Sequence, residues 1–196
     1  ATESKYFDRE ILPVEGKNAE GINDLVMADE GIRFDASLDK LAGLNPVTEG
    51  GVITAGNASQ ITDGAAAVMV CNDAGLKKIK ASPRAEIVSI SVVGDDPVFM
   101  LTGPIPASFK ALESANLSIE DIDLYEVNEA FAPVPLAWAA DLKADRSKLN
   151  VNGGAMALGH PLGATGAKLM TTLLHEMERR ESTYGLQAIC EGGGTA

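Results

Sequence analysis

The amino-acid sequence predicts an α/β fold in which helices cover a largely buried sheet. Segments with helical spacing alternate with short apolar runs rich in valine and isoleucine, and one such run leads directly into a three-glycine turn. With 45% hydrophobic and 22% charged residues, the 196-residue chain also has enough apolar material for a packed core.

The principal helices are expected after Pro106 and after His160, with shorter helical segments over residues 38–44 and 118–122. In both principal helices an apolar stripe at helical spacing should face the core, and the charged residues of the second are mostly free for solvent. The stripe residues are Phe109, Leu112 and Ala115 in the first helix, and Ala167, Met170, Leu173, Leu174 and Met177 in the second. The charged residues are Glu176, Glu178, Arg179 and Arg180.

Strands are expected at four places. The apolar run over residues 65–71 is either a strand buried on both faces or a helix fragment, and its length and valine content favour the strand. Partial alternation over 85–93 predicts another strand. The segments 124–127 and 186–189 complete the set. Two of the predicted strands lack the neighbours that they need. No partner strand follows residues 186–189, and little of the surrounding sequence can cover a buried strand at residues 65–71. The chain is therefore expected to be part of a larger protein.

Charge and composition disfavour several classes of function. A net charge of −12 argues against a nucleic-acid partner, which would need clustered Lys and Arg. No apolar run approaches the roughly 18 residues of a membrane helix, and the N-terminus lacks a signal-peptide pattern, so no membrane partner is expected. The isolated Cys71 and Cys190 suit a reducing compartment, which predicts a cytoplasmic location. The histidines and cysteines lack metal-ligand spacing, so no metal site is expected.

Two glycine-rich turns carry the candidate chemistry. The stretch from Asn150 to Gly166 places His160 directly before a helix, and Cys190 opens a second turn, C-E-G-G-G. Glycine lets the backbone approach a ligand closely, and a turn at a helix N-terminus offers unpaired N–H groups to negative charge. The two turns therefore indicate a site that handles a carbonyl group and its oxyanion.

Structural interpretations of the same residues stay open. A lone histidine is usually a satisfied core or capping residue; Pro161 and the flanking glycines favour function for His160, whereas His175 keeps the structural interpretation. Cys190 taken alone is equally a buried structural cysteine. For Asn128 taken alone a helix N-cap is favoured, and that role is compatible with a place in the site. The glycine motifs do not match nucleotide-binding spacing.

At these motifs the sequence resembles the thiolase family, enzymes that cleave 3-ketoacyl-CoA or run the reverse Claisen condensation. The matching segments, in family order, are 54–59, 63–67, 102–106, 128–132, 150–166 and 190–193. The resemblance covers nearly the whole chain but only the second half of a thiolase. It implies an acyltransferase of layered α-β-α architecture, with coenzyme A as substrate, no tightly bound cofactor, and a homo-oligomeric complete enzyme, dimer or tetramer.

The resemblance also implies a division of the chain. Residues 1–59 would be the remainder of a CoA-covering loop domain, and 60–74 the last helix and strand of the N-terminal thiolase domain. Residues 75–84 would be a linker, and 85–196 the C-terminal domain without its final strand. The family's nucleophilic cysteine belongs to the absent N-terminal half, and Cys71, at the end of an apolar run, does not replace it. The chain alone is not expected to be active.

The resemblance assigns catalytic roles to four residues. His160 would activate the missing cysteine and donate to the substrate carbonyl, and Cys190 would be the second acid/base. The amide of Gly192 would contribute to an oxyanion hole, and Asn128 would orient a catalytic water beside the histidine. Glu129 is expected to orient its neighbours rather than transfer protons.

Three further residues are implied in CoA binding. Ser59 matches the family position that hydrogen-bonds the pantetheine arm, and Met100 and Phe131 match positions that contact it. Core packing is an open alternative for the last two. The alternative to an enzyme is a non-catalytic CoA- or acyl-CoA-binding fragment. A ketosynthase-like condensing enzyme is disfavoured, because such enzymes usually lack the second cysteine turn.

Overall fold

The computed structural model describes residues 1–18 and 20–196, in which helices alternate with two small sheets. The strands are β1 (Val14–Lys17), β2 (Asn23–Val26), β3 (Leu124–Val127) and β4 (Gly185–Ala188). The α-helices are α1 (Leu38–Ala42), α2 (Asp73–Ile79), α3 (Pro104–Ala115), α4 (Pro133–Leu142), α5 (Ala155–Leu158) and α6 (Thr165–Arg180). Short 3₁₀ helices lie at Ile119–Asp121 and Arg146–Lys148. The mixed α/β class is confirmed.

The sheet that positions the site consists of β3 and β4, which pair in parallel with Val127 opposite Ala188. The ladder continues one residue further, because the Asn128 N–H donates to the Ala188 carbonyl at 2.9 Å. Parallel strands end at the same edge of a sheet. Asn128, directly after β3, and Cys190, two residues after β4, therefore leave the sheet at one edge.

One face of this sheet packs against α3 and α4 to form the core. Trp138 on α4 is fully buried, and its ring meets that of Tyr125 edge to face at 5.2 Å between centroids. The indole N–H donates to Ser108 Oγ at 2.8 Å, and the Ser108 hydroxyl donates to the Pro104 carbonyl at 2.7 Å. Each polar group buried in this contact is therefore paired, as a packed interior requires.

The opposite face packs against α6, but through a different stripe from the one predicted. The buried residues of α6 are Thr165, Leu169, Thr172, Leu173 and Glu176. The predicted stripe is therefore wrong except at Leu173, and Glu176 is only 2% exposed instead of facing solvent. Burial is possible because Asn152, Arg179 and Arg180 all donate hydrogen bonds to its carboxylate. Burial raises its pKa, but these donors outweigh that effect and the net pKa is lowered.

Two strand predictions are wrong. Residues 65–71 are all exposed and form neither helix nor strand, so the helix and strand expected over 60–74 reduce to the first turn of α2. Residues 85–93 form no strand either, and Ile90 is 76% exposed. A strand needs a neighbour for its N–H and C=O groups. Among the described residues, only Val93 of these two segments forms backbone hydrogen bonds with a neighbouring segment, and its partner is Ala196.

The bounds of several other helices and strands lie close to those that local sequence patterns predict. β3 has the predicted bounds, and β4 and α1 differ from theirs by one or two residues. Ser118 and Asp121 form a capping box on the expected short segment. α3 begins at Pro104, two residues early, and Phe109 is exposed rather than on its buried face. Among the described residues, no helix combines the length and apolar character that crossing a bilayer requires.

The antiparallel hairpin of β1 and β2 was not predicted. Val14 pairs with Val26 at one end and Lys17 with Asn23 at the other. Val14 and Leu25 are about half exposed. Because neither face of the hairpin is buried, its sequence lacks the apolar alternation by which such strands are recognised.

Replacing Ser108 by alanine is expected to lower the free energy of unfolding by about 1–3 kcal/mol, because the buried Trp138 N–H would lose its acceptor. Ser114→Ala on the same helix is the matched control, since Ser114 is exposed. Urea unfolding of both variants measures the difference. Equal midpoints for Ser108→Ala and Ser114→Ala would contradict the assignment.

Candidate active site

Asn128 and His160 meet at the carboxyl edge of the sheet. Nδ2 of Asn128 lies 3.2 Å from Nε2 of His160, although 32 residues separate them. Asn128 is 1% exposed and His160 is half-buried. The structure thus brings together two of the four residues predicted to be catalytic.

The hydrogen bonds of Thr165 define the tautomer of His160. The Thr165 hydroxyl donates to the Pro161 carbonyl at 3.0 Å, so its single proton is committed. His160 Nδ1 lies 2.6 Å from the same Oγ1 and must therefore be the donor in that contact. A neutral imidazole carries only one proton, which leaves Nε2 as an acceptor for the Asn128 amide.

The surroundings of His160 favour the neutral ring. Burial lowers the pKa of His160, and the positive charge of Lys168 lowers it further. The Lys168 ammonium donates to the carbonyls of Leu158 and Gly159 at 3.3 Å, which holds it against the turn before His160. At neutral pH the Nε2 atom is therefore unprotonated and able to accept a proton.

Backbone contacts hold the His160 turn in place. Gly159 has φ +85° and lies so close to Thr62 that a Cβ would overlap its side chain. The His160 N–H donates to the Gln60 carbonyl at 3.1 Å. The Gln60 amide in turn donates to Gly31 and to two carbonyls of α5. Residues far apart in sequence thus fix the position of the imidazole.

A second clamp fixes the turn after β3. Asn150 Oδ1 accepts from the Val127 N–H, and its Nδ2 donates to the Val127 carbonyl, both at 2.9 Å. Nδ2 also donates to Glu129 Oε1 at 2.8 Å, and Glu129 Oε2 accepts from the Met156 N–H at 3.1 Å. Gly154 packs directly on the Glu129 carboxylate, leaving no room for a Cβ. Glu129 thus accepts hydrogen bonds from Asn150 and from the start of α5.

Cys190 lies in the interior next to this edge. It is 7% exposed, and burial raises the pKa of its thiol. The thiol is therefore protonated at neutral pH and suited to donate a proton. Within residues 1–18 and 20–196, no hydrogen bond joins Cys190 to His160 or Asn128. The structure brings Cys190 to the same edge as Asn128 by strand pairing rather than by direct contact.

The turn after Cys190 exposes Gly192. The Glu191 N–H donates to the Thr195 carbonyl at 2.8 Å, which closes the turn. Gly194 has φ +83° and lies against backbone carbonyls of Asp95 and Asp96, so only glycine fits there. The Gly192 N–H has no acceptor among the described residues. It is thus available to a ligand's oxygen.

The three predicted CoA-binding residues fall into two places. The Ser59 N–H donates to the Ala130 carbonyl at 3.0 Å, and the preceding residue is bridged to Phe131, so Ser59 and Phe131 are neighbours. Met100 lies in the loop before α3, where its N–H donates to the Asp96 carbonyl and its φ is +52°. In the described part of the chain, no group of three or more His, Cys, Asp or Glu side chains has a metal-binding arrangement.

Sequence reasoning missed Asn150, Thr165 and Gln60 as residues that position the site. Asn150 opens the most informative motif and has φ +46°, a conformation in which asparagine is enriched. Thr165 follows His160 by five residues at a helix start, a usual place for a hydroxyl that bonds the backbone. Gln60 gave no local signal, because all its partners are distant in sequence.

Comparison with known proteins agrees with the fold. The family model described as "Thiolase, C-terminal domain" matches residues 81–196, and "Thiolase, N-terminal domain" matches residues 1–74. The chain therefore belongs to the thiolase family.

The similar proteins are about twice as long as this chain. It is 54% identical over 196 residues to the steroid 3-ketoacyl-CoA thiolase FadA6 of Mycobacterium tuberculosis, covering 100% of this chain and 47% of that protein. The Bacillus anthracis acetyl-CoA acetyltransferase structure matches with a TM-score of 0.94 at 44% identity, covering 100% of this chain and 50% of that one. Human mitochondrial 3-ketoacyl-CoA thiolase in complex with CoA matches with a TM-score of 0.89 at 40% identity, covering 100% and 48%. The predicted likeness to half of a thiolase is confirmed.

Asn150→Gly is expected to lower the free energy of unfolding by about 1–3 kcal/mol, because the backbone groups of Val127 would lose their partners. Glycine tolerates the positive φ, so the loss reports hydrogen bonds and not backbone strain. Asn116→Gly is the matched control: Asn116 has φ +54° and no side-chain hydrogen bond among the described residues. Urea unfolding that shows equal losses in the two variants would refute the clamp.

Proposed function

We propose that this chain supplies the histidine and the second cysteine of a CoA-dependent thiolase. The nucleophilic cysteine would come from an N-terminal half outside these 196 residues. The observation that carries the proposal is the His160 ring, neutral and held through Nδ1, with Nε2 at the edge where the turn of Cys190 begins. Such a ring can act as a general base near neutral pH.

The proposed reaction divides proton transfer between two groups. Nε2 of His160 takes the proton of the nucleophilic cysteine, whose sulfur then attacks the keto carbon of 3-ketoacyl-CoA. When the Cα–Cβ bond breaks, the Cys190 thiol gives its proton to the departing acetyl-CoA carbanion. The Cys190 thiolate next takes the proton of the incoming CoA thiol, whose sulfur attacks the acyl-enzyme. The nucleophilic cysteine leaves as a thiolate and regains its proton from His160. The raised pKa of Cys190 supports the first of these two steps.

Backbone and side-chain donors would stabilise the oxyanions of this reaction. The exposed Gly192 N–H points to one oxyanion hole, and removing such a donor costs roughly 10²–10³ in rate. Beside His160, Asn128 would orient a catalytic water. Ser59, Met100 and Phe131 would contact the pantetheine arm of CoA. The CoA complex of the human relative supports a CoA substrate for this chain.

The exposed apolar segments support an N-terminal half as partner. Val70 is 68% exposed and Ile90 is 76% exposed, in the two segments that were predicted as buried strands. We infer that the missing half covers both. We also propose that the domain boundaries fall after residues 59, 74 and 84. The complete enzyme is proposed to be a cytoplasmic dimer or tetramer.

Joined to an N-terminal thiolase half, the chain is expected to consume 3-ketoacyl-CoA in the presence of CoA. His160→Ala and Cys190→Ala should each lower kcat by roughly 10²–10⁴, because each removes a proton-transfer group. The chain offers matched controls in His175→Gln and Cys71→Ser, whose residues lie outside the site. Unchanged turnover in His160→Ala and Cys190→Ala would contradict the proposed mechanism. CoA binding without turnover in the unmutated protein would favour the non-catalytic alternative.

The pH dependence of kcat/KM tests the state of His160. A base must be unprotonated, and burial holds the pKa of His160 below its ordinary value near 6.5. The acid limb assigned to His160 should therefore have its midpoint below pH 6.5, with activity lost as the pH falls through it. A midpoint above 6.5 would mean that the charged imidazole is stabilised instead.

A further inference from the structure

Glu126 is a buried carboxylic acid on the same face of the sheet as Asn128. The two residues are two positions apart along β3 and its one-residue extension, so their side chains point to the same side. Glu126 is 2% exposed, and this side of the sheet is covered by α6. Neither the proton transfers nor the oxyanion contacts proposed above use Glu126.

A cavity of about 10 Å³ lies at this position, of the order that one water molecule needs. Glu126 and Asn128 both line it, as does Lys168 from α6. Glu126 Oε2 and Asn128 Oδ1 are fully buried and have no hydrogen-bond partner in the described residues. Two unpartnered oxygens beside one water-sized cavity require an explanation, because leaving them unpaired is costly.

One water molecule in this cavity is the simplest partner for both oxygens, because both residues line it. Lys168 supplies a third polar group, since two of its three N–H donors go to the Leu158 and Gly159 carbonyls. A buried water typically has about three partners. It can donate to Asn128 Oδ1 and accept from Glu126 and Lys168.

We propose that Glu126 is a positioning residue that acts on His160 through this water and Asn128. The water, held by Glu126, donates to Asn128 Oδ1 and so fixes which end of the amide faces the histidine. Nδ2 then donates to His160 Nε2. His160 is not among the residues that line this cavity, so this water would differ from the catalytic water proposed beside the histidine. The inference rests on the proposed function only in giving the His160–Asn128 pair a catalytic use.

Burial and the neighbouring charges favour the protonated form of Glu126, which the proposed hydrogen bond to the water requires. Burial raises the pKa of Glu126 to about 8, with the carboxylates of Glu129, Glu10 and Glu176 acting in the same direction and Lys168 against it. Below that pH the side chain is a neutral acid that can donate to water. Gln187 lies opposite Glu126 on β4 and also has an unpartnered side-chain oxygen. This oxygen competes with the water for the hydrogen bond that protonated Glu126 donates.

The test is the pKa and tautomer of His160 measured by ¹⁵N NMR in the chain joined to its N-terminal half. Labelling only this chain leaves two histidine signals, His160 and His175. In Glu126→Leu the Asn128 amide is free to turn its oxygen to Nε2, which stabilises the imidazolium. The pKa of His160 should rise by about one unit, while the neutral ring keeps its proton on Nδ1, which Thr165 holds. In Glu126→Gln, which keeps a donor, the unmutated values should persist.

Gln187→Met is the control for the competing acceptor, and it should leave His160 unchanged. A His160 pKa that is the same in Glu126→Leu as in the unmutated protein overturns the proposal. An equal fall in the pKa of His160 in Glu126→Leu and Glu126→Gln also overturns the proposal, because it would show that the Glu126 carboxylate charge acts directly on the histidine. If Glu126→Leu does not fold, a high-resolution crystal structure of the unmutated complete protein decides. A water within about 3.2 Å of both oxygens supports the proposal, and its absence refutes it.

The NMR result and the thiolase assay fail independently. A shifted His160 pKa without thiolysis in the unmutated protein would reject the proposed function and leave the positioning role standing. Thiolysis with an unshifted pKa would reject the positioning role alone.

Discussion

The parallel pairing of β3 and β4 is the constraint on which the rest of the structure depends. It carries Asn128 and the turn of Cys190 to one edge of the sheet, although the residues are far apart in the chain. Ligands of open α/β sheets bind at the carboxyl ends of the strands, where loops are free to vary while the ladder stays rigid. The buried Tyr125–Trp138 contact on one face secures this ladder against α4.

Around that edge the interior is polar rather than apolar. Thr165 and Glu176 are buried, Asn150 is partly buried, and all three bond the turns that carry the candidate site. Each such bond contributes only about 1 kcal/mol net, but breaking one leaves a buried group unpaired at greater cost. A network of this kind holds the imidazole in one orientation more strictly than apolar contacts can.

The same network explains where sequence reasoning succeeded and failed. The bounds of β3 were predicted from a short, mostly apolar run of sequence, and the His160 turn from its glycines. The buried face of α6 was not, because its inward residues serve partners elsewhere in the chain and break the apolar stripe. The segment 65–71 is apolar enough for a core strand but pairs with no strand among the described residues. The tautomer of His160 depends on Thr165 and Pro161 together, which composition does not reveal.

We propose that His160 and Cys190 converge on one thioester. A crystal structure of the complete enzyme with a bound acyl-CoA measures this directly. Nε2 of His160 and Sγ of Cys190 are each expected to lie about 3–3.5 Å from reacting atoms of the ligand or nucleophile. A Cys190 thiol directed into the apolar interior, with the ligand bound elsewhere, would contradict it.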